Sequence, residues 1–163
     1  PADIDANVEQ QADEIAKDII QKLDMVGLLA VEFFLTNDGS LLVNEIAPRP
    51  HNSGHHTIEA NRTSQFEQHL RAVLDLPLGA TDALFPASAM VNLVGSAQAH
   101  GIPAYAGLDA ALDTPGVHPH LYGKSTVKPF RKMGHVTITG SNHEEVAKRV
   151  MHIREQLSVN GNA

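Results

Sequence analysis

Leu28-Leu29-Ala30-Val31-Glu32-Phe33-Phe34-Leu35, followed by Thr36-Asn37-Asp38-Gly39-Ser40 and then Leu41-Leu42-Val43, reads as two apolar strand-length runs joined by a turn. Asp-Gly between two such runs is the strongest short-range hairpin signal. With Asp38 and Gly39 as the two central turn residues, Asn37 pairs with Ser40, and continuing that register outward sets Glu32 opposite Glu45. Side chains opposed in this way share one face, with Cβ atoms about 4.5 to 5.5 Å apart. Two carboxylates about 5 Å apart repel by roughly 3 kcal/mol at an effective dielectric of about 20. A shared proton or a divalent cation would offset this, and a pair of carboxylates supplemented by phosphate oxygens is a common way of holding Mg²⁺. A register slipped by one residue would instead send the acids to opposite faces.

The second strand runs into Asn44-Glu45-Ile46-Ala47-Pro48-Arg49-Pro50-His51-Asn52-Ser53-Gly54-His55, which gathers a carboxylate, a guanidinium and imidazoles at the end of an apolar strand. Pro48 and Pro50 stiffen the backbone on either side of Arg49, which lowers the entropy cost of aiming its guanidinium at an oxyanion. A surface arginine without a ligand is the bland alternative. His51, His55 and His56 could suggest zinc, but Pro50 and Gly54 argue against the helix that would bring His51 and His55 onto one face.

Outward from this centre, Val8, Ala12, Ile15, Ala16, Ile19, Ile20 and Leu23 keep a 3.6-residue rhythm, the mark of a helix with one buried face that Gly27 ends. Ser64-Gln65-Phe66-Glu67 is a capping-box pattern opening a helix with Leu70, Val73 and Leu74, stopped at Leu76-Pro77-Leu78-Gly79. Residues 80–82 read as a linker between an N-terminal region, 1–79, and a small C-terminal α/β lobe, 83–157. Within the lobe, strands are expected around 88–94, 118–122 and 135–139, with a short helix near 108–112. Ser141-Asn142-His143-Glu144 is a second capping box, before a closing helix striped by Val146, Val150, Ile153 and Leu157. Residues 158–163 are expected to fray. The fold class is α+β.

The chain has 163 residues, 42% of them hydrophobic, enough to bury a core in one domain or two small ones. A net charge of −7 with scattered cations lacks the electrostatic footprint of a nucleic-acid binder. With no cysteine, a disulfide framework and thiol catalysis within this chain are excluded. No apolar run approaches membrane-spanning length and no signal-like N-terminus is present, so no membrane partner is expected and the cytoplasm is the default location. Lys124, Lys128, Arg131 and Lys132 nevertheless place four cations within nine residues. Gly123 and Pro129 set them on turns, which suits a pocket gripping a phosphate monoester from several sides. A solvated basic face is the alternative.

Val31-Glu32-Phe33-Phe34, the Asn44–His55 run and Thr63-Ser64-Gln65-Phe66-Glu67-Gln68-His69 resemble the C-terminal part of 5-(carboxyamino)imidazole ribonucleotide synthases, the ATP-grasp carboxylases of purine biosynthesis. Leu121-Tyr122-Gly123-Lys124 and Arg131-Lys132-Met133-Gly134-His135-Val136-Thr137 resemble the same family, so the likeness runs from the first helix to about Val150. It implies the C-terminal part of an ATP-grasp domain, an antiparallel sheet with packed helices, followed by a small β-rich lobe. Complete members carry an N-terminal domain and a nucleotide-clamping subdomain ahead of this region, and the chain opens at Pro1 without a methionine, so a fragment inactive by itself is expected.

The resemblance implies ATP and Mg²⁺ as cofactors, with Mn²⁺ as a possible substitute, and 5-aminoimidazole ribonucleotide and bicarbonate as substrates. A homodimer of the full-length enzyme is expected. Glu32 and Glu45 become metal ligands, with Asn44 and Glu45 contacting the nucleotide phosphates. Arg49 and His51 fall where bicarbonate and its carboxyphosphate intermediate are handled, His51 as proton handler or orienting donor. Lys124 and Arg131 fall on the ribonucleotide 5′-phosphate, and Asn52 and His55 on substrate contacts. Ala47 departs from the wider ATP-grasp pattern, in which an asparagine two residues after the second acid often also binds metal. A formate-using glycinamide ribonucleotide transformylase shares a similar Glu-x-x-Pro-Arg-Pro-His run, though Asn52-Ser53-Gly54-His55 and Lys132-Met133-Gly134-His135 favour the carboxylase. A noncatalytic anion-binding or dimerising module is the alternative of a different class.

Overall fold

The computed structural model describes residues 4–162, which divide into two compact units. The first comprises residues up to Gly54 together with Gln65–Gly79, and the second His55–Ser64 together with everything from Ala80. The ten-residue insert 55–64, expected in the N-terminal region, instead belongs to the second unit.

In the first unit, helix α1 (Ala6–Lys22) precedes the antiparallel pair β1 (Ala30–Leu35) and β2 (Leu41–Ala47). The helix ends at Leu23, before the expected Gly27: Asp24 takes a left-handed φ of 46°, and Met25 N–H closes back on Ile20 O at 3.2 Å. Its apolar stripe is only half-buried, since the two-stranded sheet beside it is too small to cover it.

The hairpin turn holds one residue more than the sequence pattern suggests. Thr36 and Ser40 close it, with Thr36 N–H donating to Ser40 O at 3.0 Å, and Gly39 takes the left-handed position at φ 84°. This is the three-residue loop in which glycine occupies the αL site. The strands therefore start one step out of the expected register, pairing Leu35 with Leu41 and Phe33 with Val43. A β-bulge then takes up Asn44, and the register returns to Glu32 opposite Glu45 and Ala30 opposite Ala47.

The second unit begins with α2 (Thr57–Ala60), which falls before α3 (Gln65–Val73) of the first unit. It continues with β3 (Ala87–Val94), β4 (Ile102–Ala106), α4 (Leu108–Asp113), β5 (Val117–Leu121), β6 (Lys132–Gly140), α5 (His143–Gln156) and β7 (Ser158–Asn162). Strands β3, β6 and β5 form an antiparallel sheet in that order, and β4 pairs with β7.

The expected frayed tail is therefore a strand. Val159 is 1% exposed and pairs with Tyr105, so burial holds a segment whose polar, glycine-containing end reads as a tail. The closing helix starts one residue later than its sequence box suggests. Asn142 is the N-cap, its Oδ1 accepting Glu145 N–H at 2.9 Å, while Glu145 Oε2 accepts Ser141 N–H at 2.8 Å.

Strand alternation gives the three-stranded sheet two unlike faces. Ala87, Leu93, Val117, Val136 and Ile138 form one and join Val146, Ile153 and Leu157 in the hydrophobic core. The other carries Asn92, His118, His120, His135 and Thr137. Among the described residues no helix is long and apolar enough to cross a membrane.

Candidate functional site

In the first unit the bulge and the Pro-rich turn bring three side chains together. Nε2 of His51 lies 3.5 Å from Glu32 Oε1 and 3.5 Å from Glu45 Oε1. One donor atom from each of Glu32, Glu45 and His51 lies within 4.8 Å of the other two, a spacing that could hold a metal ion. Two carboxylates offer hard oxygen donors suited to Mg²⁺, and an imidazole nitrogen suits Mn²⁺ as well. The bulged Asn44 turns its amide to the same place, Nδ2 donating to Glu32 Oε2 at 3.3 Å.

His51 is the fixed member of this group. Its side chain is 12% exposed, against 41% for Glu32 and 58% for Glu45. Nδ1 lies 2.8 Å from Ser53 Oγ, which leaves Nε2 for the acids. Its backbone is gripped by Gln65, whose Oε1 accepts His51 N–H at 2.8 Å while Nε2 donates to His51 O at 2.8 Å. Gly54 permits that grip, since a Cβ there would stand 2.5 Å from Gln65 Oε1. Sequence reading takes Gln65 only as part of a helix-start pattern and assigns His51 to anion handling without placing it beside both acids. The clamp joins positions 51 and 65, and no local pattern in the sequence marks it.

The remaining expected residues of this unit stand less tightly. Arg49 is exposed, and its Nη1 donates to Pro50 O at 3.0 Å, leaving the rest of the guanidinium fork for an anion. Asn52 begins a single 3₁₀ turn, Asn52–Gly54.

In the second unit, Lys124 donates to Lys132 O, and its Nζ stands 5.5 Å from the centre of the Tyr122 ring. Arg131 Nη1 donates to Thr126 O at 2.9 Å. Both cations donate to backbone carbonyls from the loop preceding β6. His55 joins a cluster of rings, 4.8 Å from His135 and 6.4 Å from Tyr122. His120 stacks on His135 at 4.4 Å and lies 2.7 Å from Glu59 Oε1. Burial, with lesser contributions from His120 and His55, pushes the His135 pKa down to about 4, so it is neutral near pH 7.

The ATP-grasp domain family model matches residues 1–66, and that of the phosphoribosylaminoimidazole carboxylase C-terminal domain matches residues 88–149. The chain is similar to the N5-carboxyaminoimidazole ribonucleotide synthases. It is 49% identical over 143 residues to the Mycobacterium tuberculosis synthase, an alignment covering 85% of this chain and 32% of that protein. The Thermotoga maritima synthetase superposes with a TM-score of 0.93 at 47% identity, covering 99% of this chain and 45% of that one. The Aspergillus clavatus synthase, solved with ADP and 5-aminoimidazole ribonucleotide, gives a TM-score of 0.81 at 37% identity over 94% of this chain and 41% of that one. The chain thus spans less than half the length of these relatives.

Proposed function

We propose that this chain supplies the acidic end of an ATP-grasp site and a ribonucleotide subsite to an ATP-dependent carboxylase. The reaction would convert 5-aminoimidazole ribonucleotide and bicarbonate to the N5-carboxylated ribonucleotide, forming a carbon–nitrogen bond at the expense of ATP. The observation that carries this reading is the Glu32–Glu45 pair capped by His51 Nε2, on the segment matched by the ATP-grasp model.

Glu32 and Glu45 would hold Mg²⁺, or Mn²⁺ in its place, and Asn44 would contact nucleotide phosphate beside them. When bound, the cation would neutralise charge developing on the transferred phosphoryl group. His51 orients the acids through Nε2 and is the nearest proton carrier to them. Arg49, with most of its fork unengaged, would stabilise the carboxyphosphate anion. Lys124 and Arg131 would anchor the ribonucleotide 5′-phosphate, with Asn52 and His55 contacting the rest of the substrate. Tight binding of that phosphate would position the amine for attack on the carboxyl carbon. The same reading makes the complete enzyme a cytoplasmic homodimer with no nucleic-acid or membrane partner. The relatives' names favour the carboxylase over a formate-using transformylase.

The test joins this chain to the N-terminal part of a relative and measures steady-state kinetics. ATP hydrolysis should require bicarbonate and 5-aminoimidazole ribonucleotide together, and Glu32→Gln or Glu45→Gln should abolish it at saturating nucleotide. Lys124→Ala or Arg131→Ala should instead raise KM for the ribonucleotide about ten- to a hundredfold, because a remote anchor binds ground and transition states alike. Turnover of formate and glycinamide ribonucleotide in place of these substrates would overturn the assignment.

A further inference from the structure

The second unit spends polar side chains where apolar ones would stabilise it more. On the sheet face opposite the hydrophobic core, Asn92 pairs with His135 and His135 with His120, a row across β3, β6 and β5. His135 is 3% exposed and Thr137 is 0% exposed. Burying such groups costs free energy that a valine or leucine would not incur.

The row leads to Lys124. Glu59 Oε1 fixes His120 at 2.7 Å, and His120 stacks flat on His135, 4.4 Å between centres at an interplanar angle of 12°. His135 Nδ1 lies 2.9 Å from the Tyr122 hydroxyl. The Tyr122 ring in turn faces the Lys124 ammonium at 5.5 Å, within the range of a cation–π contact. Tyr122 is also tied through its backbone, N–H donating to Met133 O at 3.0 Å.

We propose that His135 and Tyr122 are positioning residues, a buried pair that fixes the ring on which Lys124 is held and so pre-aims its ammonium at an anionic ligand. Pre-aiming removes the rotamer entropy that a free lysine loses on binding. The low pKa of His135 fits this role, since a neutral imidazole can keep one hydrogen bond to Tyr122 without burying a positive charge in the sheet. Burial also pushes the Tyr122 pKa up, which keeps its hydroxyl protonated. Only the ligand-binding part of this proposal rests on reading Lys124 as a phosphate anchor.

The test has two readouts in the 163-residue chain labelled at lysine. The first is the order of the Lys124 side chain and the upfield ring-current shift of its ε-methylene, measured by NMR without ligand. Tyr122→Phe and His135→Leu should both reduce them. His135→Asn, which keeps a polar atom near the place of Nδ1, should restore them. The second is the dissociation constant for ribose 5-phosphate. It should rise about three- to tenfold in Tyr122→Phe and stay near the parent value in His135→Asn, as expected for one net hydrogen bond. If Lys124 is as ordered in Tyr122→Phe as in the parent, the positioning role is wrong, whatever happens to His135→Leu, which could fail to fold. If the parent chain does not bind ribose 5-phosphate, or Lys124→Ala binds it as well as the parent, the phosphate reading fails instead, and the order measurement still decides the positioning role.

Discussion

At the scale of single residues, the candidate metal site depends on a contact between a glycine and a glutamine. Gln65 grips the His51 backbone at both its N–H and its carbonyl, and Gly54 leaves room for the Gln65 carboxamide. In Gly54→Ala the new Cβ would meet the flexible end of Gln65, so the carboxamide should move and the fold should persist. The expected outcome is loss of the grip and an Mn²⁺ affinity reduced about three- to tenfold, matching Gln65→Ala. Paramagnetic titration of both variants checks it, and an unchanged affinity would show that His51 is held without Gln65. His135 makes a second prediction, on stability. Its pKa falls from 6.5 in the unfolded chain to about 4 in the fold. Above pH 6.5 it is neutral in both states and its contribution is complete. Below that the unfolded chain takes up the proton first, so stability should fall as pH drops through 6.5 towards 4, by roughly 2 to 3 kcal/mol from this residue. Urea unfolding midpoints between pH 4 and 7 measure the slope, and His135→Asn should flatten it.

At the scale of elements, the hairpin shows what was legible in the sequence and why the rest was not. The pairing of Glu32 with Glu45 follows from the Asp-Gly turn if two residues are central, yet the turn holds three, and the bulge at Asn44 restores the pairing. Two departures cancel, and neither has a period or composition of its own, because a bulge is set by cross-strand packing. Helices α1, α3 and α5 were legible because a 3.6-residue rhythm extends over many residues. Strands β4 and β7 were not: Pro103 and Gly161 interrupt them, and their pairing spans more than fifty residues of sequence. The acids of the candidate site lie in local motifs and could be read directly. The Gln65 clamp and the Glu59–His120–His135–Tyr122 row are long-range contacts, visible only once the chain is folded.

At the scale of the whole molecule, the two units differ in how much apolar surface each removes from water. The hydrophobic core cluster lies entirely in the second unit, where Met133, Val136 and Ile138 are all 0% exposed. In the first unit Ala47 is the one buried hydrophobic side chain among the described residues. Its hairpin exposes Phe34 at 57%, Leu42 at 54%, Val43 at 46% and Ile46 at 44%. A two-stranded hairpin with so little apolar burial is marginal by itself, and regions of low burial open at lower free energy than a core strand. Amide hydrogen exchange on the 163-residue chain should therefore show β1 and β2 exchanging at least about a hundredfold faster than β6, a gap of roughly 3 kcal/mol in opening free energy. Saturating Mn²⁺ should narrow the gap by protecting β1 and β2 alone, since a cation held by Glu32 and Glu45 binds only the paired strands. Equal protection in β1 and β6 without metal would mean that the hairpin draws its stability from something other than its own burial, and protection by Mn²⁺ spread evenly over both units would place the cation elsewhere.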